Sequence, residues 1–455
     1  MLHCVGIEGR AAGVCRGHRT PRSSEPVWLS EHGTSRGLTR VGQPDPRPES
    51  CVTTSTMIVV PTYWTWDDDR SVRSEDAIFD HPTPVDREGT LSRLLASLCQ
   101  VPEVGGAKSG ALVSVLVLIA SVHADLDHIA QQRVSEIIAP FHDRFPVARF
   151  AAADLTVLHS RMRELGLDEL QPTFSLRSYP GVRNCQLAVA HMLDAQVIIA
   201  LDDDQVVAPD YLRRATTFIG GDWHGHRISG VCGRYADHHG EWRLPENELT
   251  GNIFLDKAAI MNEAVHRLMA QDQALVESSL AYGGNMVFHR ELFTRVGFDP
   301  WITRGEDIDY LINARLQGLR FWFDRQLLIT HMPPDEYQSA FYAKLCQDVI
   351  RFIYEREKLR QAGVDAADFD PYPGRFLRDD IEEHALAALS QAAMPAAVAK
   401  LGPPDRIVAR AQHHAREALP RYLAHARTWP CLMDALAGDA FLRDHWQAKF
   451  TRHRE

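Results

Sequence analysis

Residues 197–211 read VIIALDDDQVVAPDY, an apolar run that halts at Asp202, Asp203 and Asp204 and then turns toward a further helix. Val197, Ile198, Ile199 and Leu201 are aliphatic in near-continuous succession, which predicts a strand buried on both faces of a parallel sheet. Three adjacent carboxylates repel one another. A divalent cation among them relieves that repulsion, because a hard cation takes oxygen ligands and neutralises their charge. Ligands of open α/β sheets bind at the carboxyl ends of strands, where this run stops. An acidic turn capping the next helix would use the same residues, and the run alone does not choose between the two.

Working outward, strands and helices alternate. Residues 58–60 predict a first strand, ended by Pro61 and followed by a long polar loop. Residues 89–99 predict a helix with Thr90 as N-cap, 111–122 a second buried strand, 126–145 a long amphipathic helix and 147–158 a third strand. Residues 181–193 read as a helix with Arg183 and Asn184 in its first turn, leading into the aspartate-ended strand. Beyond it follow a helix at 210–218, a strand at 228–235, the segment YGGNMVFHR at 282–290, a helix at 306–317 closed by Gly318, and strands at 320–330 that stop at His331. From residue 335 the pattern is helical to the end. The fold class expected is α/β, Rossmann-like, a mainly parallel sheet with helices on both faces plus a C-terminal helical region. The expected domains are a disordered leader or misassigned start at 1–56, an α/β domain at 57–334 and a helical domain at 335–455. The leader is rich in Arg, Gly, Ser and Pro without hydrophobic period, and the sharp change at Met57 marks that residue as the expected true start.

Acidic residues outnumber basic ones, 60 to 49, for a net charge of −11 across 455 residues, so no positive field draws in a nucleic-acid backbone. The eight cysteines show no CxxC or metal-ligand spacing and are expected as free thiols in a reducing compartment. No apolar run approaches twenty residues, so no transmembrane segment is expected and the localisation expected is cytoplasmic. No GxGxxG follows the first strand, which removes the ordinary dinucleotide fingerprint. The Asp67 to Asp69 run and the His238-His239 pair read as solvated loop.

Four elements in this order, VIIALDDDQVVAPDYL, YGGNMVFHRELFTRVGFD, Gly305-Glu306-Asp307 opening a helix, and His331 after the last strand, resemble the family-2 glycosyltransferases of the GT-A fold. The resemblance covers residues 57–334 and rests on order and spacing together. It implies a metal-dependent glycosyltransferase that moves a sugar from a nucleoside-diphosphate sugar to an acceptor hydroxyl. In the residues that match, Asp202 and Asp204 form the Asp-x-Asp motif and, with His331, would hold a divalent cation, Mn2+ or Mg2+; Asp203 could shift that register by one. Pro61, Thr62, Tyr63, Asp125, Arg183, Asn184, Asp202, Asp203, Gly283, Gly284 and Asn285 would contact the nucleotide sugar. Trp301 and Arg304 would line the acceptor pocket. Asp307, beside Glu306, would be the general base of an inverting reaction.

The residues themselves are consistent with those roles. A diphosphate leaving group needs its developing charge neutralised, and a carboxylate-held cation does this without proton transfer. Gly283 and Gly284 allow close backbone approach. Arg183 at a helix start opposes the dipole unless an anion faces it, either a phosphate or one of the aspartates. Two neighbouring carboxylates can split their pKa values and leave one basic, although a first-turn Glu306-Asp307 pair would also suit the helix dipole. Retaining enzymes of the same fold, of the mannosylglycerate or glucosylglycerate synthase type, share the metal motif and are the alternative. A sugar-phosphate nucleotidyltransferase is a second, but the Gly-rich, Lys-containing loop it needs is not visible in PTYWTWDDD. A homo-oligomer through the C-terminal helices is left open.

Overall fold

A computed structural model describes residues 55–67, 76–77, 79–105, 113–334, 341–392 and 401–451. The expectations for the leader up to residue 54, for Asp68 and Asp69 and for the start of the helix after residue 335 lie outside the described residues. The central feature is a mixed sheet. Its strands are β1 (Thr56–Thr65), β2 (Val113–Ser121), β3 (Val147–Phe150), β4 (Val197–Ala200), β5 (Gly230–Ala236), β6 (Leu275–Glu277), β7 (Met286–His289) and β8 (Trp322–His331). They lie in the order β6-β8-β5-β7-β4-β1-β2-β3, and two short strands, Thr83–Pro84 and Gln205–Val206, pair at the flanks. The β4, β1, β2 and β3 pairings are parallel, β7 runs antiparallel between β4 and β5, and β8 is parallel to β5.

Alternation along β1 explains why the sheet is covered twice. Met57 and Val59 enter one core with Val182, Cys185 and Val189 of the Tyr179–Met192 helix. Ile58 and Val60 enter another with Leu91, Leu94, Leu95 and Leu98 of the Leu91–Leu98 helix. Successive side chains of a strand point to opposite faces, so an unbroken apolar run requires helices on both sides. This is the α/β arrangement expected from the sequence.

Three local expectations are corrected. The first strand does not end at Pro61 but continues to Thr65. Val59 accepts from Leu201 on the β4 side, so the alternate residue Pro61 also faces that side, where register with β4 has already stopped at Val59. The missing N–H therefore costs no ladder bond. The helix expected over 126–145 is regular only at Asp127–Ile138 and tightens to a 3-10 turn at Ala139–Phe141, where Pro140 lacks the amide an α-turn needs. The strand expected over 147–158 is strand only to Phe150. A helix, Ala152–Glu164, begins where the Asp154 carboxylate accepts from the Ala151 N–H at 2.9 Å, and it buries Leu158 and Met162 on one face. The Lys257–Met269 helix and β6 were not anticipated.

After β8 come the helices Phe341–Ala362, Ile381–Gln391, Pro404–Gly438 and Ala440–Thr451. They are joined to the sheet by burial: Trp429 lies in the same core as Val182 and Phe293, and its indole N–H donates to the Phe293 carbonyl at 2.9 Å. Among the described residues no helix is long and apolar enough to cross a membrane.

Candidate active site

The site assembles where β4 ends. Past Ala200 the chain leaves the sheet, and the three aspartates take different environments. Asp203 is buried; it accepts from the Thr62 hydroxyl at 2.5 Å, and burial together with the neighbouring Asp204 charge drives its carboxyl well above the usual range. Thr90 stands at the N-cap position of its helix yet makes no side-chain cap bond; its hydroxyl instead helps hold Asp203. Asp202 retains 26% side-chain exposure and meets the Arg183 guanidinium at 2.8 Å. Asp204 lies 3.1 Å from His331 Nε2, while its carbonyl accepts from the Met332 N–H at 2.7 Å. The imidazole is held above its ordinary pKa because the Asp204 carboxylate outweighs its partial burial.

Arg183 is buried and bridges two distant parts of the sequence: Nη2 meets Asp202, and Nε meets Glu306 at 3.4 Å. Glu306 and Asp307 open the Glu306–Leu316 helix behind Gly305, whose φ of 66° is the left-handed conformation that glycine adopts freely. Burial and the Asp307 charge push Glu306 up to about 7, despite its arginine. Asp307 is also raised by burial but is opposed by hydrogen bonds from the Ile308 N–H at 2.8 Å and the Gly283 N–H at 3.1 Å, and by Arg351 and Arg183. Both carboxyls thus hold their protons to higher pH than ordinary ones, and Asp307 has two donors and two guanidinium groups that favour its charge.

Tyr235, at the end of β5, is a site residue that sequence reasoning missed. Its hydroxyl accepts from the Gly284 N–H at 2.9 Å and from Gln205 Nε2 at 2.8 Å, and lies 3.4 Å from Asp202 Oδ2. Its ring stacks on His331 at 5.2 Å and on Tyr282 at 4.4 Å. The available signal was an aromatic residue at the carboxyl end of a strand anticipated at 228–235. A side chain at Gly284 would collide with Gln205 and Asp202, and one at Gly283 with Arg183. The two glycines therefore admit the acidic cluster itself, which is a more specific need than access for a ligand.

Other expected residues are placed differently. Asn184 is buried, and its amide is engaged with the backbone of Phe298 at 2.9 and 2.8 Å and with the Thr173 carbonyl at 3.2 Å. Asn285 is buried too, accepting from the Tyr211 hydroxyl at 2.9 Å and donating to the Arg234 and Leu327 carbonyls. Both amides tie neighbouring segments together rather than face a ligand, because buried amides left unsatisfied are costly and these already have internal partners. Asp125 is exposed beside His123 after β2. Pro61 and Tyr63 are buried at the end of β1, Tyr63 packed between Phe79 and Tyr179. Arg304 is paired at 3.1 Å with Asp80, which also meets Lys344 and Tyr179. The Trp301 carbonyl accepts from His414 at 2.9 Å, and its ring is covered by Arg421 of the C-terminal region.

No protein-family model matches the sequence, and a search of curated proteins finds no match. Among solved structures the chain is similar to a mannosyltransferase from Pyrobaculum calidifontis in complex with GDP-Man and Mn2+, at 12% identity over 84% of this chain and 91% of that one, with a TM-score of 0.39. It is also similar to TarS of S. aureus, at 13% identity, 83% of this chain, 55% of that one and a TM-score of 0.35. A third is the mannosyl-3-phosphoglycerate synthase from Rubrobacter xylanophilus, at 14% identity, 70% of this chain, 79% of that one and a TM-score of 0.33.

Proposed function

We propose that the chain is a metal-dependent glycosyltransferase that transfers a sugar from a nucleoside-diphosphate sugar to an acceptor hydroxyl with inversion. The observation that carries this reading is the Arg183 bridge. One buried guanidinium joins Asp202, at the end of the central strand, to Glu306, at the head of the helix that carries Asp307. Donor-side and acceptor-side carboxylates are thereby held in one cluster at the carboxyl end of the central strand, where α/β proteins bind ligands.

The donor atoms suit a divalent cation in kind, since an imidazole beside carboxylates is a common set for manganese. Among the described residues no three His, Cys, Asp or Glu side chains converge as a ready-made metal site. Asp204 and His331, in contact, and the partly exposed Asp202 are the residues that would hold the ion. When bound, the cation neutralises the charge developing on the leaving diphosphate. Asp307 takes the proton of the acceptor hydroxyl. The acceptor oxygen then bonds to the anomeric carbon as that carbon's bond to the diphosphate breaks, and the diphosphate leaves with the electron pair. Glu306, protonated more readily than an ordinary glutamate, keeps Asp307 from facing a second full negative charge.

Asp307→Asn tests the reading, because it keeps size and hydrogen-bonding capacity but cannot accept the proton. Transfer should fall by roughly two to four orders of magnitude with donor affinity and melting temperature held. The wild-type product should show the inverted anomeric configuration. Wild-type transfer by Asp307→Asn, or a product of retained configuration, would refute the base assignment.

A further inference from the structure

The Phe341–Ala362 helix reaches back into this site through Arg351. That side chain is buried, and its guanidinium sits against the left-handed turn at Gly305, with Nη1 3.5 Å from the Arg304 carbonyl. A Cβ on Gly305 would fall on the guanidinium, so the seat exists only because residue 305 is glycine. Of the remaining nitrogens, Nη2 is hydrogen-bonded and Nε is held by ion-pair distance alone. Nη2 donates to the Tyr372 hydroxyl at 2.6 Å, and Nε lies 3.0 Å from Asp348, whose other oxygen meets Lys257 at 2.7 Å. An arginine so held cannot swing to solvent, and its charge faces the first turn of the helix bearing the acidic pair.

We propose that Arg351 is a positioning residue of the transfer reaction: it clamps the Arg304-Gly305 turn and holds Asp307 in its ionised, proton-accepting form, so that the C-terminal helical region completes the active site. The inference rests on the reading of Asp307 as the base. Arg183 pairs with Glu306 and Asp202, and Arg351, seated at Gly305, supplies a second cation whose charge favours the Asp307 carboxylate. The charges and titratable groups that act on Asp307 are Glu306 on its own helix, Arg183 from the Tyr179–Met192 helix, Cys232 on β5, Tyr282 before β7, and Arg351 and Tyr372 from the C-terminal region. Burial drives the Cys232 thiol and the Tyr282 and Tyr372 phenols upward, so they are neutral at working pH. The charges that decide the state of Asp307 are therefore Glu306, Arg183 and Arg351.

Removing a cation beside a carboxylate raises its pKa, so the base becomes protonated at higher pH and the acidic limb of the rate profile moves up. Arg351→Gln should shift the acidic limb of kcat upward by about one pH unit, with donor KM little changed. Arg351→Lys should return the limb toward wild type while kcat stays several-fold low, since a point charge cannot meet Arg304, Tyr372 and Asp348 together. If Arg351→Gln is too unstable to assay, Gly305→Ala takes its place, because the added Cβ must drive the guanidinium from its seat; the same upward shift is expected. A limb that stays at the wild-type pH in a folded Arg351→Gln or Gly305→Ala enzyme overturns the inference. Asp307→Asn, assayed alongside, separates the two claims. If it is inactive and the limb of Arg351→Gln is unmoved, only the role of Arg351 fails; if it transfers normally, both fail.

Discussion

Two clusters of buried charge occupy this protein, and they are built on different terms. At the end of β4, Asp202 and Glu306 pair with the buried Arg183, Asp203 accepts from Thr62 and Asp204 meets His331, and part of the group remains open: Asp202 keeps 26% and His331 30% side-chain exposure. Between the Glu306–Leu316 and Phe341–Ala362 helices, Lys358 is wholly enclosed, touching Asp299 at 2.6 Å and Asp309 at 2.5 Å. Asn313 donates to Asp309, Tyr354 donates to Asp299, and the Tyr354 and Tyr422 rings lie over the ammonium. The second cluster is shut off from solvent, its two aspartates each hydrogen-bonded within the protein, and it joins two helices. The first stays partly open to solvent at Asp202 and His331, and a cleft that gathers perturbed carboxyls is a candidate for function.

The largest effect that would sharpen this contrast is on folding. Lys358→Met leaves Asp299 and Asp309 buried without their cation and should cost about 3–5 kcal/mol of stability, read by denaturant unfolding. An unchanged midpoint would mean that the enclosed cluster is not the structural element described. Asp204→Ala should do the opposite. It relieves repulsion with Asp203, so stability should hold or rise, while manganese-dependent donor binding and turnover fall on the order of a hundredfold. A turnover and metal response like wild type would remove Asp204 from the ligand set.

The smallest effect concerns Glu355, buried on the Phe341–Ala362 helix with no hydrogen-bond partner on either oxygen and pushed up to about 8 from 4.5, by burial first. A carboxyl whose folded pKa is raised favours folding below its unfolded pKa and loses that contribution as pH rises through the folded value. Glu355→Gln should therefore match wild-type stability near pH 4 and exceed it increasingly toward pH 8, by on the order of 1–3 kcal/mol. A stability difference independent of pH between 4.5 and 8 would show that Glu355 does not titrate in that window.

Much of this was legible in the sequence where one residue type has one physical consequence. The apolar run at 197–201 reads most simply as a doubly covered strand, which puts the aspartates after it at its carboxyl end. Gly305 before Glu306 and Gly318 after the helix marked both ends of the Glu306–Leu316 helix. The sequence was silent where partners come from far along the chain. Asn184 and Asn285 look like ligand amides until their bonds to Phe298, Tyr211 and Leu327 are seen. Tyr235 and Arg351 carry no local motif at all; their roles arise from stacking on His331 and from a seat behind Gly305, contacts spanning 96 and 46 residues by their numbers. Residues 152–158 read as strand because Val157 and Leu158 are apolar, whereas the Asp154 bond to Ala151 starts a helix there.

The claim that the open cluster is a cation-assisted diphosphate site can be tested without knowing the sugar or the acceptor. Thermal unfolding of the wild-type protein would be followed with GDP, UDP, ADP or dTDP, each with and without Mn2+, because a ligand that binds only the folded state raises the melting temperature. At least one nucleoside diphosphate should stabilise the protein by several degrees only when Mn2+ is present, and Asp204→Ala should abolish that gain. No manganese-dependent stabilisation by any of the four, or an equal gain in Asp204→Ala, would contradict the assignment.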